Sequence, residues 1–596
     1  MNIVGHYKRF IFWCNRHISP RNLVLILSVI VGLVTSLSVG FLKISSRTLL
    51  NFLSSNFVEG NTVYLYFTFP LTGILISGFL IQYFNKGVLR KGIPMVMFSI
   101  LKNHSRIPLR ETYLQLITSA VTVGFGGSVG LEGPSVGIGA TFGSNLGQWF
   151  RLNERKRTVL MGCGAAAVTA TLFNAPITGV IFALEILMLE LKVVNLLPIL
   201  LSSVTGAMMS RIFFKEPLLF KYMLNDPFLS WHIVPYIALG ILSGLISLYF
   251  TRLNIWAEKK LLLPSVSPFF RALFNGSMLG VLVFLLPPLF GDGYRAIRLL
   301  FANQPEYLTN NSFIFEQMAG NELALILFLL SILFLKALAV VFTVAGGGNG
   351  GIFAPSLLVG ALTGFVYGDL LNKVLPSAWQ LPLANFTLVG MAGVMSGIMH
   401  APLTAIFLIA EITGGYELLL PLMIVASIGY ATARYFAPYS IFAVALAKQG
   451  HWIAHDIDKQ ILHNISIKRL VETDLIALNP QQKLRDLLEA VSRSSRNIFP
   501  IIDHEHALKG IILLDDIRAI MFKSELYDTL FVYELMHAPP DCIDADKDTM
   551  DSVMIKFEQS GAWNLPVVSR NRYVGFISKS KIFSIYRHIL VESAKE

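Results

Sequence analysis

The sequence predicts an α-helical polytopic membrane protein built from two internal repeats, followed by a soluble α/β domain pair. Three observations carry that expectation. The 596-residue chain is 54% hydrophobic and only 14% charged, with a positive mean hydropathy, far from the profile of a soluble globular protein. A stretch beginning at Gly164 returns in the same frame at Gly390. Beyond Gln449 the composition turns soluble and a second, shorter repeat begins.

Lys8, Arg9, Arg16 and Arg21 precede the first apolar run, whereas the first acid is Glu59. Positive-inside bias therefore places residues 1–21 in the cytoplasm, and it accounts for the net charge of +11 without any nucleic-acid partner. A cleavable signal peptide would place its apolar core closer to the start, so none is expected. Apolar runs follow at Leu23–Leu42, Val63–Phe84, Leu114–Val123, Leu196–Met209, Ile233–Phe250, Met278–Leu286, Leu323–Val344 and Leu418–Ile428. Several are shorter than the roughly 20 residues a span needs, so some helices are expected to tilt, re-enter or stop midway. The chain reads as multi-pass, surrounded by lipid, with both termini cytoplasmic and, in a bacterium, in the cell membrane. Cys14, Cys163 and Cys542 form no CxxC pair and read as inert apolar fillers.

The most informative stretch is Gly126-Gly-Ser-Val-Gly-Leu-Glu-Gly-Pro-Ser-Val-Gly-Ile-Gly139. Six glycines and a proline would wreck a uniform spanning helix, so a break is expected, with a helix starting near Pro134. Broken backbone in a bilayer is tolerated where it packs in protein or lines a wet path. Amide hydrogens at a helix start carry about half a positive charge and can hold an anion without a buried lysine. Glu132 sits at that start, where a titratable acid would compete with the anion and release its place on protonation.

Residues Gly164–Ile186 recur as Gly390–Ile412, sharing Ala-Pro-x-Thr and a Glu-Ile nine residues past the proline. A second glycine-rich break, Gly346-Gly-Gly-Asn-Gly-Gly-Ile-Phe-Ala-Pro-Ser356, stands upstream of the second copy as the first break stands upstream of the first. Two halves interrupted at corresponding places point to a transport site at the repeat interface. The alternative, glycines that merely permit close helix packing, does not explain why both breaks end in a Pro-Ser helix start.

Gly130-Leu-Glu-Gly-Pro134 and Gly350-Gly-Ile-Phe-Ala-Pro355 resemble the GxEGP and GGxFxP signatures of CLC chloride channels and transporters. Gly92-Ile-Pro94 resembles the end of that family's first motif, and Tyr439 matches its pore tyrosine. The resemblance spans roughly Leu23 to Gln449 and implies inverted repeats, about 22–250 and 251–449, within a transmembrane domain of residues 22–449. It implies that Gly130, Glu132, Gly133, Pro134, Gly350, Gly351 and Pro355 shape the pathway, with Glu132 as the gate. Gly92 and Lys91 would also belong to the anion site, where the amides of Ile352 and Phe353 would face a dehydrated chloride and Tyr439 would donate its hydroxyl from the inner side. Such neutral donors stabilise an anion without trapping it. It also implies a homodimer with one pathway per subunit.

Lys91 stands where the family has a serine, and could recruit anions or snorkel to the cytoplasmic surface; snorkelling is favoured. Ile186 stands where coupled relatives carry a second, internal proton-transfer glutamate. Glu185 and its repeat partner Glu411 are expected to be structural. Gly126–Ser128 and Gly346–Gly348 hold more glycine than their roles demand, which suggests a loose vestibule.

After a linker, 450–464, Asn497-Ile-Phe-Pro-Ile-Ile-Asp503 with Gly510–Ile517 is echoed by Asn564-Leu-Pro-Val-Val568 with Gly575–Ile582. Each copy reads as strand, turn, strand, helix behind an amphipathic helix, Lys483–Val491 or Thr549–Glu558. The linker's His451-Trp-Ile-Ala-His-Asp-Ile-Asp458 reads as a helix leaving the membrane, without the further ligands a metal site needs. The tail resembles a tandem pair of CBS domains, 465–525 and 526–596. Such pairs hold adenine nucleotides with an acid at the last helix start. Asp516 fills that position in the first copy, whereas Lys581 replaces it in the second, where only the hydroxyl of Ser578 remains. Weak adenine-nucleotide binding, or none, is expected, and a packing module is an equal reading.

The leading expectation is chloride transport gated by Glu132, as chloride/proton antiport with protons as the second partner. A passive chloride channel is the alternative, kept open by Ile186. A CBS-bearing divalent-cation transporter is remote, because hard cations need clustered oxygen ligands and Glu132, Glu185 and Glu411 are isolated. No required cofactor, no metal site and no enzymatic constellation is read from the sequence.

Overall fold

A computed structural model describes residues 16–595 except 58–64, 86–91, 188–192, 215–228, 262–265, 311, 316–320 and 448–464. Cys14, Lys91 and the 450–464 linker lie outside the described residues. Two compact units emerge, 1–451 and 452–596.

Among the described residues of the first unit, the helices fall into two series of eight. The first comprises α1 (Pro20–Phe57), α2 (Leu65–Asn85), α3 (Gly92–Lys102), α4 (Arg110–Gly124), α5 (Glu132–Trp149), α6 (Glu154–Phe173), α7 (Pro176–Ile186) and α8 (Val193–Ile212). The second comprises α9 (Ile233–Leu261), α10 (Pro268–Leu285), α11 (Tyr294–Phe301), α12 (Glu322–Ala345), α13 (Phe353–Val374), α14 (Leu383–Met399), α15 (Pro402–Thr413) and α16 (Leu419–Phe436), and α17 (Ile441–Ala447) follows. Seven helical segments among the described residues are long and apolar enough to cross a membrane; α3, α7, α14 and α15 are apolar but shorter.

Corresponding helices obey the same local rules. α6 and α14 end at Asn174 and His400, both left-handed at φ 55°, and each next helix opens with a proline at its first position, Pro176 or Pro402. α6 and α14 are buried almost all round and form the core, which is why their sequences are small and apolar without an outward polar face. Cys163 is fully buried there, the filler expected of it.

The two halves interlock through acids. Glu411, near the end of α15, accepts from the amides of Ile177 (3.0 Å) and Thr178 (2.7 Å) at the start of α7. Glu185, near the end of α7, accepts from Leu403 (3.1 Å) and Thr404 (2.7 Å) at the start of α15. Each end caps the other's beginning, so α7 and α15 run antiparallel about a local two-fold, which is the inverted arrangement. Carboxylates at helix starts satisfy orphan amides and complement the dipole. The structural reading of both acids is what the structure shows.

In the second unit β1 (Ile498–Ile502) pairs antiparallel with β2 (Leu508–Leu513), and β3 (Ile543–Asp544), β4 (Asn564–Ser569) and β5 (Arg572–Ser578) form a three-stranded sheet. The two copies exchange their opening segments. Ile465, Ile467 and Leu470 pack into the core of the second copy with Val553, Leu565 and Ile577, while Val532 packs with Leu484 and Phe499 of the first. Each copy therefore completes its core with residues from the other.

Candidate functional site

The two glycine breaks meet. Gly130 N donates to Gly351 O at 2.9 Å and Gly351 N to Gly130 O at 2.7 Å, a single antiparallel bridge joining the segments ahead of α5 and α13. Only glycine allows this approach: a Cβ on Gly351 would lie 2.7 Å from Gly133 N, and one on Gly133 would lie 3.0 Å from Gly351 Cα. α3 joins the same cluster, since a Cβ on Gly92 would stand 3.0 Å from Gly133 O. Three helix starts, at Gly92, Glu132 and Phe353, thus converge, each with first-turn amides that have no intrahelical acceptor.

α5 starts at Glu132 itself, with Pro134 in its first turn, in keeping with the expected start near Pro134. The Glu132 side chain is 6% exposed. Its Oε1 accepts the hydroxyl of Tyr294 at 2.8 Å. Its Oε2 is buried without a hydrogen-bond partner and lies against Gly130, where a Cβ would come within 1.9 Å of it and 3.0 Å from Ala354 Cβ. The acid therefore reaches from its own helix start towards Ala354 in the first turn of α13. A cavity of about 60 Å³ opens beside it, lined among others by Lys43, Arg47, Phe173, Asp292, Tyr294 and Arg298. Cations outnumber acids at its mouth, which favours entry of an anion.

Phe353 is buried, its ring stacked 5.3 Å from Phe173 at the end of α6. Ile352 is the residue just before α13, and Pro355 lies in its first turn, as Pro134 does in α5. Gly350 stands against Val129. Tyr439 lies two residues ahead of α17, which packs on α3, and is 36% exposed.

The expected loose vestibule is overturned. Gly126 (φ 85°) and Gly347 (φ 110°) occupy left-handed turns, and a Cβ would come within 1.9 Å of the Phe290 ring or 3.1 Å of Gly78 Cα. The extra glycines belong to tight packing, not to open space.

Sequence reasoning missed Tyr294, Asp292 and Lys336. Lys336 lies fully buried on α12, its ammonium donating to Ser128 Oγ (2.7 Å) and Gly291 O (3.0 Å). A lone lysine inside an apolar run was the available signal, because such a residue is retained only with partners.

The description "Voltage gated chloride channel" matches residues 73–434, well over half of the chain. The chain belongs to this family. Its function is chloride transport across a membrane. The CBS domain description matches twice, at 467–523 and 532–588. Among relatives, a ClcB-like chloride channel protein of Ralstonia nicotianae is 30% identical over 383 residues, 64% of this chain and 85% of its own length. A slow cyanobacterial Cl−/H+ antiporter superposes with a TM-score of 0.62 at 23% identity, covering 72% of this chain and 98% of that one. A CLC-type fluoride/proton antiporter gives a TM-score of 0.59 at 25% identity, with 71% and 97% covered.

In the tail, Asp516 Oδ2 accepts from the Leu513 amide (2.7 Å) and pairs with His537 Nε2 (2.9 Å). Ser578 is buried, and its hydroxyl donates to Glu472 at 2.7 Å. Both residues named for nucleotide binding already have partners within the domain pair.

Proposed function

We propose that the chain exchanges chloride for protons, with Glu132 as both gate and proton carrier. The single observation carrying this reading is the position of Glu132: a buried carboxylate spanning the two breaks, one oxygen partnerless, beside a cavity rich in cations. Seated and charged, it occupies the place an anion would take; protonated, it has no electrostatic reason to stay. Solved neighbours described as proton antiporters support the coupling. The test is flux in liposomes with a chloride gradient, reading pH and chloride together. Proton uptake at a fixed ratio to chloride efflux is expected, and Glu132→Gln should retain chloride flux while losing proton movement. Proton transport persisting in Glu132→Gln would overturn the gate.

A passive channel is the second reading, favoured by one observation. Ile186, at the end of α7, is buried and cannot titrate, and its neighbour Glu185 is engaged as a cap on α15. Silent pH during chloride flux would decide for it. The proposed assembly is a homodimer, supported by exposed Ile177, Leu200, Met208, Leu403, Leu420 and Met423 on α7, α8, α15 and α16. Both termini are proposed to be cytoplasmic, on the charge bias of the first 21 residues. Adenine-nucleotide binding by the CBS pair is proposed to be weak or absent, because Asp516 and Ser578 are engaged elsewhere.

A further inference from the structure

We propose that Tyr294 is a positioning residue for the gate: its hydroxyl latches Glu132 in the closed seat and thereby sets the pH at which the path opens. The proposal rests on Glu132 being the gate. It stands on how firmly Tyr294 is itself held.

Tyr294 is the first residue of α11 and follows Gly293 at φ 93°; its amide donates to Asp292 Oδ1 at 3.1 Å. The loop before it is fixed to the first break twice. Gly291 N donates to Gly126 O at 3.0 Å, and buried Lys336 bridges Gly291 O to Ser128 Oγ. A loop of the second half is thereby stapled to the segment leading into the helix start that carries Glu132. The phenol meets one carboxylate oxygen and leaves the other, Oε2, without a partner.

This asymmetry has a direction. A phenol donates most strongly to a charged carboxylate, so the bond favours Glu132 seated and ionised over protonated or released. The charged groups facing the seat are Lys43 and Arg47 from α1, Asp292 from the loop and Arg298 from α11, with Lys336 acting from α12 through Ser128. From α4, α6 and α13 the neighbours of the seat include Val123, Leu172, Phe173 and Ala354, none of them charged. Among these groups Tyr294 donates directly to the carboxylate, at 2.8 Å.

The experiment is the pH profile of chloride flux in liposomes for the full chain and Tyr294→Phe, each also in the Glu132→Gln background. The phenylalanine keeps the ring and removes only the donor. The flux midpoint should move about one pH unit upward, giving about tenfold more flux on the alkaline limb, as expected for losing a charge-assisted bond. In Glu132→Gln the same change should add nothing. Should Tyr294→Phe fail to reconstitute, a fluorinated tyrosine at position 294, a stronger donor of nearly the same shape, should move the midpoint downward. Superimposable profiles for either variant, or an equal shift in Glu132→Gln, would overturn the latch. A Glu132→Gln protein that keeps the full pH dependence would instead overturn the gate, so the two failures are distinguishable.

Discussion

Glu185 and Glu411 show how the same residue type serves two purposes in one membrane domain. Glu132 ends in a cavity, whereas Glu185 spends both oxygens on the amides of Leu403 and Thr404 and on the Thr404 hydroxyl (2.7 Å). A carboxylate so engaged holds α15 in place and is a poor proton carrier. Glu185→Ala should therefore lower stability by about 1.5–3 kcal/mol, the usual loss for hydrogen bonds to a charged group, and Glu185→Gln by less, because one acceptor survives. Thermal unfolding of the purified protein checks this, with the proton-to-chloride ratio expected to stay at the wild-type value. A changed ratio at unaltered stability would make Glu185 a proton relay instead. The structural role of this acid was legible in the sequence through its repeat partner. Tyr294 was not, because its partner lies 162 residues away and no local pattern marks a tyrosine that reaches across a repeat interface.

Among the elements, the two breaks carry the site, and each is half of it. Their position could be read from the spelling alone, since runs of glycine followed by Pro-Ser have few other structural outcomes. What the spelling lacks is the neighbour. It could not say that Gly130 and Gly351 bond to each other, nor that Phe290 fills the space beside Gly126, and so extra glycine suggested looseness where the structure is tight. The helix start near Pro134, with Glu132 at it, was legible too: the helix begins at Glu132, and Pro134 falls in its first turn. Close backbone contact makes a sharp prediction. Gly351→Ala would push a methyl to within 2.7 Å of Gly133 N, a backbone atom with nowhere to go. The strain of such overpacking is typically about 1–3 kcal/mol. Because it falls at the bridge, chloride flux should drop by about tenfold or more while the protein still assembles. Wild-type flux from a correctly inserted Gly351→Ala protein would show that the bridge does not shape the pathway.

The whole membrane unit is one site made by two halves of a single chain. A repeat in sequence is blind to orientation; only the reciprocal caps, Glu185 on α15 and Glu411 on α7, reveal that the halves are inverted. Every contact that defines the gate is intrachain: Gly130 with Gly351, Glu132 with Tyr294, Lys336 with Ser128. Nothing in this set requires a second copy, so each subunit of the proposed dimer should hold a complete and independent pathway. Independent sites add. Heterodimers of wild type with Glu132→Gln, isolated by two different tags, should accordingly move protons at about half the wild-type rate per protein, with the mutant subunit still passing chloride. Liposome flux read for protons and chloride together measures both. Loss of all proton movement in the heterodimer would mean that one gate governs both subunits, and a path shared across the dimer would then replace two separate ones.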